Sequence, residues 1–266
     1  MAPRKAALAF ILITVGLDML ALGMVIPVLP ELIKGFTGGD TVEAAHYYGW
    51  FGTVWAAMQF FFAPVLGGLS DRFGRRPVVL ISNFGLGLDY LLTALAPGLS
   101  WLFLARVLSG ITSASVPVAG AYIADTVEPE KRAQAFGMIG AAFGLGFVVG
   151  PALGGLLALQ DPRLPFWVAG GLSLLNGAYG VFVLPESLPP SLRKPFSWAR
   201  ANPVGSLGLL RAHPSLLPLT GIVFFAALAH QVLPSCFVLY TGHRYAWGKL
   251  EFGLTLAGVG VGYAVV

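Results

Sequence analysis

Residues 67–77 read GGLSDRFGRRP and place one acid and three arginines within eleven residues. The flanking stretches, 47–69 and 78–96, are almost purely apolar, and charged residues are only 11% of the chain. A soluble domain carries about 25%. Each flank is close to the roughly 20 apolar residues that cross a hydrocarbon core. The quoted stretch therefore reads as a loop between two membrane spans.

The bulk composition agrees. Of 266 residues, 56% are hydrophobic, and the mean hydropathy is +0.79. The 35 glycines and 19 prolines would weaken soluble helices, but membrane helices tolerate both. The net charge of +4 falls in short clusters between apolar runs, which gives no basis for a nucleic-acid partner. The single cysteine, Cys236, allows no disulfide framework, and no Cys/His metal spacing occurs. No nucleophile constellation or phosphate loop points to an enzyme. Arg4 and Lys5 precede an apolar run to Pro30, far longer than a signal peptide's apolar region, so this run reads as a retained first span.

By length and hydropathy the spans are 6–30, 47–69, 78–96, 101–123, 135–158, 166–184 and 216–240, with an eighth over 253–266. The last, at about 1.5 Å per residue, reaches only about two thirds of a roughly 30 Å core. The expectation is a chain that stops inside the bilayer, about 8 spans of a longer protein. Residues 185–215 are proline-rich, basic and polar, the longest connection. They divide an N-terminal six-helix bundle (1–184) from the start of a second bundle (216–266). A short amphipathic surface helix over 202–213 is also expected.

The basic residues are unevenly shared between the two sides. Arg4, Lys5, Arg72, Arg75, Arg76, Lys131, Arg132, Arg193, Lys194, Arg200 and Arg211 fall on one side. Lys34, Arg163, Arg244 and Lys249 fall on the other, and Arg106 lies within a span. The positive-inside rule then puts the N-terminus, the quoted loop and the 185–215 connection in the cytoplasm.

Within the loop, Gly67 and Gly68 suggest close approach of span two to a neighbour. Gly74 suits a tight turn, and Pro77 the first turn of span three. Asp71 suits a helix cap or a pair with an arginine across a bundle interface. The pattern G-x-x-x-D-R-x-G-R-R, carried by Gly67, Asp71, Arg72, Gly74, Arg75 and Arg76, resembles the signature loop of the major facilitator superfamily. The resemblance implies a cytoplasmic latch between two helical bundles, with Asp125, in YIADTVEPEKRAQ, as its acidic partner. The residue-level alternative for Asp125 is an N-cap for the following helix.

Span five carries GLGFVVGPALGG (144–155). On its own it reads as tight helix packing with a kink at Pro151. Gly146, Gly150, Pro151, Gly154 and Gly155 are also similar to the motif of the superfamily's drug:proton antiporters. VIPVLPEL, LDYLLTALAPG, GITSASVPVAGAYIADT and PFWVAGGLSLLN, with the loop, resemble the bacterial tetracycline exporters over nearly the whole chain. That resemblance implies an all-α inverted-repeat bundle in the bacterial inner membrane, and proton-coupled efflux of tetracycline or a related drug. It implies no cofactor beyond the coupling proton, with a divalent metal carried alongside the substrate, and a monomer. The alternatives are transport of an unrelated metabolite, or a truncated, non-transporting membrane protein.

Ionisable side chains inside spans are costly and so are functional candidates. These are Asp18 near the middle of span one, Asp89 on span three and Arg106 on span four. Asp89 lies roughly 10 Å from the outer end of its span, and Arg106 lies at a similar depth. The two are either a structural ion pair or part of a substrate and proton site. Gln59 and Gln231 are either substrate contacts or interhelical hydrogen bonds. All five match positions the tetracycline exporters use. His230 is a further candidate proton carrier. Tyr263 stands where those exporters carry a histidine, and tyrosine does not titrate near neutral pH.

Overall fold

The computed structural model describes residues 2–198, 201–203 and 214–265. The expected surface helix over 202–213 falls almost wholly outside the described residues, as do the side chains of His230 and Tyr263. The described part is helical: α1 (Ala2–Val25), α2 (Leu29–Phe36), α3 (Thr41–Phe73), α4 (Arg75–Leu95), α5 (Leu99–Thr112), α6 (Ser115–Thr126), α7 (Pro129–Ala158), α8 (Leu164–Val183), α9 (Leu217–His230), α10 (Val232–Tyr245) and α11 (Lys249–Val265). Six crossings among the described residues are long and apolar enough to span a membrane, the first formed by Leu8–Phe36 and the fourth by Leu99–Thr126.

The expected span boundaries need correction where proline or a cap decides them. Span one does not end at residue 30. Pro27 has no N–H for the helical ladder, so α1 stops at Val25, and α2 restarts with Pro30 in its first turn. Span two is α3, whose 33 residues are about 50 Å long, well beyond the hydrocarbon core. Asp40 caps it, accepting from Val42 N (2.8 Å) and Glu43 N (3.1 Å). The ends carry polar residues such as Glu43, His46 and Arg72, helical and exposed, so hydropathy alone shows only the middle.

Span four is two helices. Ala114 N donates to Thr112 O (2.8 Å) around Ser113, at φ −76° and ψ 74°, which is an inverse γ-turn. Pro117 then lies in the first turn of α6. Span seven is likewise broken at Gln231 and continues past residue 240 to Tyr245, because Pro234 offers no N–H to the preceding turn. Span eight begins at Lys249.

Two buried clusters hold the first six crossings together. One gathers Val25, Leu29, Ile33, Tyr90, Leu102 and Phe166, and the other Phe10, Val15, Val78, Val118 and Tyr122. Ile26, Val238, Phe252 and Leu256 join α10 and α11 to the turn that follows α1. Many large apolar side chains instead point outward, Phe60, Phe61, Leu145 and Phe182 among them, as a lipid solvent requires.

Helix packing is set by small residues. A Cβ on Gly146 would lie 2.5 Å from Gly16 O, and one on Gly150 would lie 2.6 Å from Leu20 O. One on Gly154 would strike Met24 O. Gly23 returns the contact against Pro151, so α1 and α7 touch backbone to backbone. Gly253 of α11 also sits against α7, at Pro151 O. The C-terminal end of α4 is closed by Arg163, which donates to Ala94 O (3.0 Å) and Ala96 O (2.9 Å). A cation at a helix C-terminus also suits the helix dipole.

Candidate functional site: a charge cluster at the α3–α4 joint and a buried ion pair

The quoted loop is a one-residue joint. Gly74 ends α3 and begins α4 at φ 112° and ψ 165°, a conformation that a Cβ would strain. The joint folds Arg75 back over the end of α3. Its Nη1 donates to Asp71 Oδ1 (2.5 Å) and to Ser70 Oγ (3.2 Å), and its Nε donates to Asp125 Oδ2 (2.9 Å). The Arg75 side chain is 12% exposed and that of Asp125 22%, so this pair is better shielded than an ordinary surface pair, whereas Asp71 is 46% exposed.

This geometry alters several expectations. Asp71 pairs with the arginine four residues on, inside the same set of helices, and not across an interface between bundles. Asp125 is not an N-cap. It lies in the last turn of α6, while Glu128 precedes α7 and makes no side-chain cap bond. Arg72 stays at the surface with its guanidinium over the Phe73 ring, 5.0 Å from the centroid. Arg76 donates to the Val181 carbonyl. A Cβ on Gly67 would meet nothing within 4 Å, whereas one on Gly68 would lie 3.1 Å from the Phe196 ring, so Gly68 is the close-approach glycine. Arg132 closes the end of α6, donating to Ala124 O (2.7 Å) and Val127 O (3.1 Å).

The second cluster is deep. Arg106 Nη2 donates to both oxygens of Asp89 (2.8 and 2.9 Å) and lies 3.3 Å from Thr93 Oγ1. Asp89 is 1% exposed and Arg106 8%. The short α4–α5 hairpin sets the two at equal depth, and Gly85 lets α4 close on Thr112 of α5. Arg106 Nε has no hydrogen-bond partner among the described residues. Asp18 is buried on α1, two residues from the Gly16 contact with α7.

Gln59 donates from Nε2 to Ser113 Oγ (2.9 Å), so α3 meets the break in span four. The other glutamine, Gln231, is exposed at the break in span seven. Among the antiporter-motif residues, Gly146, Gly150 and Gly154 form the contact with α1, and Pro151 and Gly155 are also buried. A separate cavity of about 1040 Å³ opens beside the start of α3, lined by Asp40, His46, Trp50, Phe51 and Phe103, and neither charge cluster lines it.

Sequence reading missed two partners. Ser113 is signalled only by the proline four residues later, which forces a new helix start. Glu186 reaches the start of α4 from the end of span six. An acid directly after a span is its only sequence mark.

The Major Facilitator Superfamily description fits residues 11–266. The chain belongs to this superfamily. It is 41% identical over 259 residues to the class C tetracycline resistance protein of Escherichia coli, covering 97% of this chain and 65% of that one. It is 37% identical to the class B protein of Escherichia coli, covering 94% of this chain and 61% of that protein. The chain thus spans about two thirds of the length of these relatives. Among solved structures, the human organic anion transporter MFSD10 (TETRAN) superposes with a TM-score of 0.78 at 25% identity, covering 97% of this chain and 70% of that one. The superfamily membership and the apolar crossings make this a multi-pass membrane protein.

Proposed function

We propose that this chain is the N-terminal portion of a proton-coupled exporter of drug-like solutes, with tetracycline or a close relative as substrate. The observation that carries the reading is the Asp89–Arg106 pair, both members desolvated in the bundle of a chain similar to tetracycline resistance proteins. Ionisable groups inside a membrane bundle are costly to place, which makes them functional candidates. In this reading external protons enter at Asp89 and Asp18. Protonation loosens their hold on a cationic or metal-chelated drug, and deprotonation toward the cytoplasm restores it. Gln59, Arg106 and Gln231 orient the solute. The helices rock between states around the site, and the Arg75–Asp71–Asp125 cluster forms and breaks with each cycle.

Residues 1–184 form the six-crossing bundle, 185–215 the connection, and 216–266 the start of the second bundle. The N-terminus faces the cytoplasm of a bacterium, and the protein acts as a monomer. The coupling proton is its only cofactor, and a divalent metal travels with the drug.

The test is tetracycline transport by the protein expressed from its complete reading frame. Inverted vesicles with an imposed proton gradient should lose that gradient when tetracycline is added, and a sensitive host should become resistant. A protein that reaches the membrane, dissipates the gradient with other drugs and leaves tetracycline sensitivity unchanged refutes the substrate but not the antiport. The likeness to MFSD10 favours a second reading, in which an organic anion is drawn to Arg106. Gradient collapse by anionic dyes and not by tetracycline selects it.

A further inference from the structure

The joint at Gly74 creates a problem that the loop itself does not solve. The first turn of a helix has N–H groups with no partner inside it, and the residue before the helix ordinarily supplies a side-chain oxygen. Here that residue must be glycine, because the backbone turns at φ 112°, and glycine has no side chain. Each donor can be followed. Gly74 N bonds Ser70 O (3.0 Å), and Pro77 has no N–H. Arg75 N and Arg76 N remain. Both point at one carboxylate, that of Glu186, which accepts from Arg75 N on Oε1 (2.8 Å) and from Arg76 N on Oε2 (3.4 Å). The carboxylate occupies the space that a Cβ on Gly74 would take. Negative charge at a helix N-terminus is also favoured by the helix dipole.

The segment that brings Glu186 is bound at other points as well. Leu188 N donates to Glu186 Oε1 (3.0 Å), and Ser187 Oγ donates to Asp125 Oδ2 (3.3 Å). Tyr122 Oη donates to Pro185 O (3.0 Å), and Lys194 N donates to Asp71 O (3.1 Å). The segment thus closes the end of α3 and the start of α4 together, and it touches both acids that hold Arg75.

We propose that Glu186 is a positioning residue of the cytoplasmic gate: its carboxylate caps α4 from outside, holds Arg75 between Asp71 and Asp125, and ties 185–194 to that cluster. Movement of the interdomain segment is thereby transmitted to the gate. This rests on the transporter reading for its consequence but not for its geometry. Two measurements on the protein from its complete reading frame keep the two apart.

The first is amide hydrogen exchange in detergent, with no ligand. Glu186→Ala should speed exchange about tenfold in 74–78 and 186–190 together, the size of one lost charge-assisted bond, while 84–92 stays unchanged. Glu186→Gln, which keeps one acceptor oxygen and the side-chain length, should lie between. The second is transport. Glu186→Ala should lower kcat at least about tenfold with KM unchanged, since Glu186 lies far along α4 from the buried pair, and Glu186→Gln should restore part of it. Unchanged exchange at the start of α4 overturns the proposal. So does exchange raised along all of α4, which marks loss of fold, and so does a KM effect with kcat intact. Wild-type protein that transports nothing refutes the proposed function, and the exchange result still decides the cap.

Discussion

Replacing Arg106 by methionine isolates the energetics of the buried pair. The variant keeps most of the side-chain volume and leaves Asp89, 1% exposed, with its charge uncompensated in a lipid-facing bundle. Breaking a buried ion pair from one side costs about 3–5 kcal/mol, against about 0–1 kcal/mol for an exposed pair. A single guanidinium nitrogen makes both contacts to Asp89, without the two-nitrogen fork that gives the strongest geometry. The lower end, about 3 kcal/mol, is therefore expected. The double replacement Asp89→Leu with Arg106→Met removes both charges, and such swaps are often neutral or stabilising. Unfolding by detergent titration should show Arg106→Met strongly destabilised and the double variant close to wild type. Transport then separates the roles. If the pair is part of the proton site, the stable double variant should lose gradient-driven efflux. If it is structural only, efflux should return with stability. An Arg106→Met protein as stable as wild type would refute the reasoning, because it would mean that Asp89 is hydrated or neutral without its partner.

Two further outcomes follow from the packing and the charge pattern. Gly150→Ala should cost about 1–3 kcal/mol, because its Cβ would lie 2.6 Å from Leu20 O and force α1 and α7 apart, while Gly144→Ala, with nothing within 4 Å, should unfold like wild type. Equal midpoints for the two would show that the α1–α7 contact is not tight. In a Cys236→Ala background, single cysteines at Ser191 and Thr41 should react with an impermeant maleimide from opposite faces, Thr41 from outside, and labelling of both from outside would overturn the orientation.

The membrane class, the helical fold and the position of the charged loop were legible in the residues alone. Hydropathy along a span and charge in a connection are local quantities, and lipid imposes them strongly. The glycines of span five were legible for the same reason, since close helix packing admits few residue types. Span ends were not. Helices continue through headgroups and water wherever caps and backbone bonds allow, as α3 does from Thr41 to Phe73, and hydropathy does not register that. The break at Ser113 was also hidden, because a γ-turn costs little once Gln59 meets it from another helix.

Only the tertiary structure decided which charges meet. Asp71, Asp125 and Arg75 are scattered over three helices, and the turn at Gly74 sets which arginine the two acids share. Asp89 and Arg106 could be matched in depth from the sequence, but their contact needed the approach of α4 to α5. Glu186 shows the division most plainly. The loop requires glycine, glycine cannot cap, and the missing acceptor comes from 111 residues downstream, a distance over which local sequence carries no information about pairing.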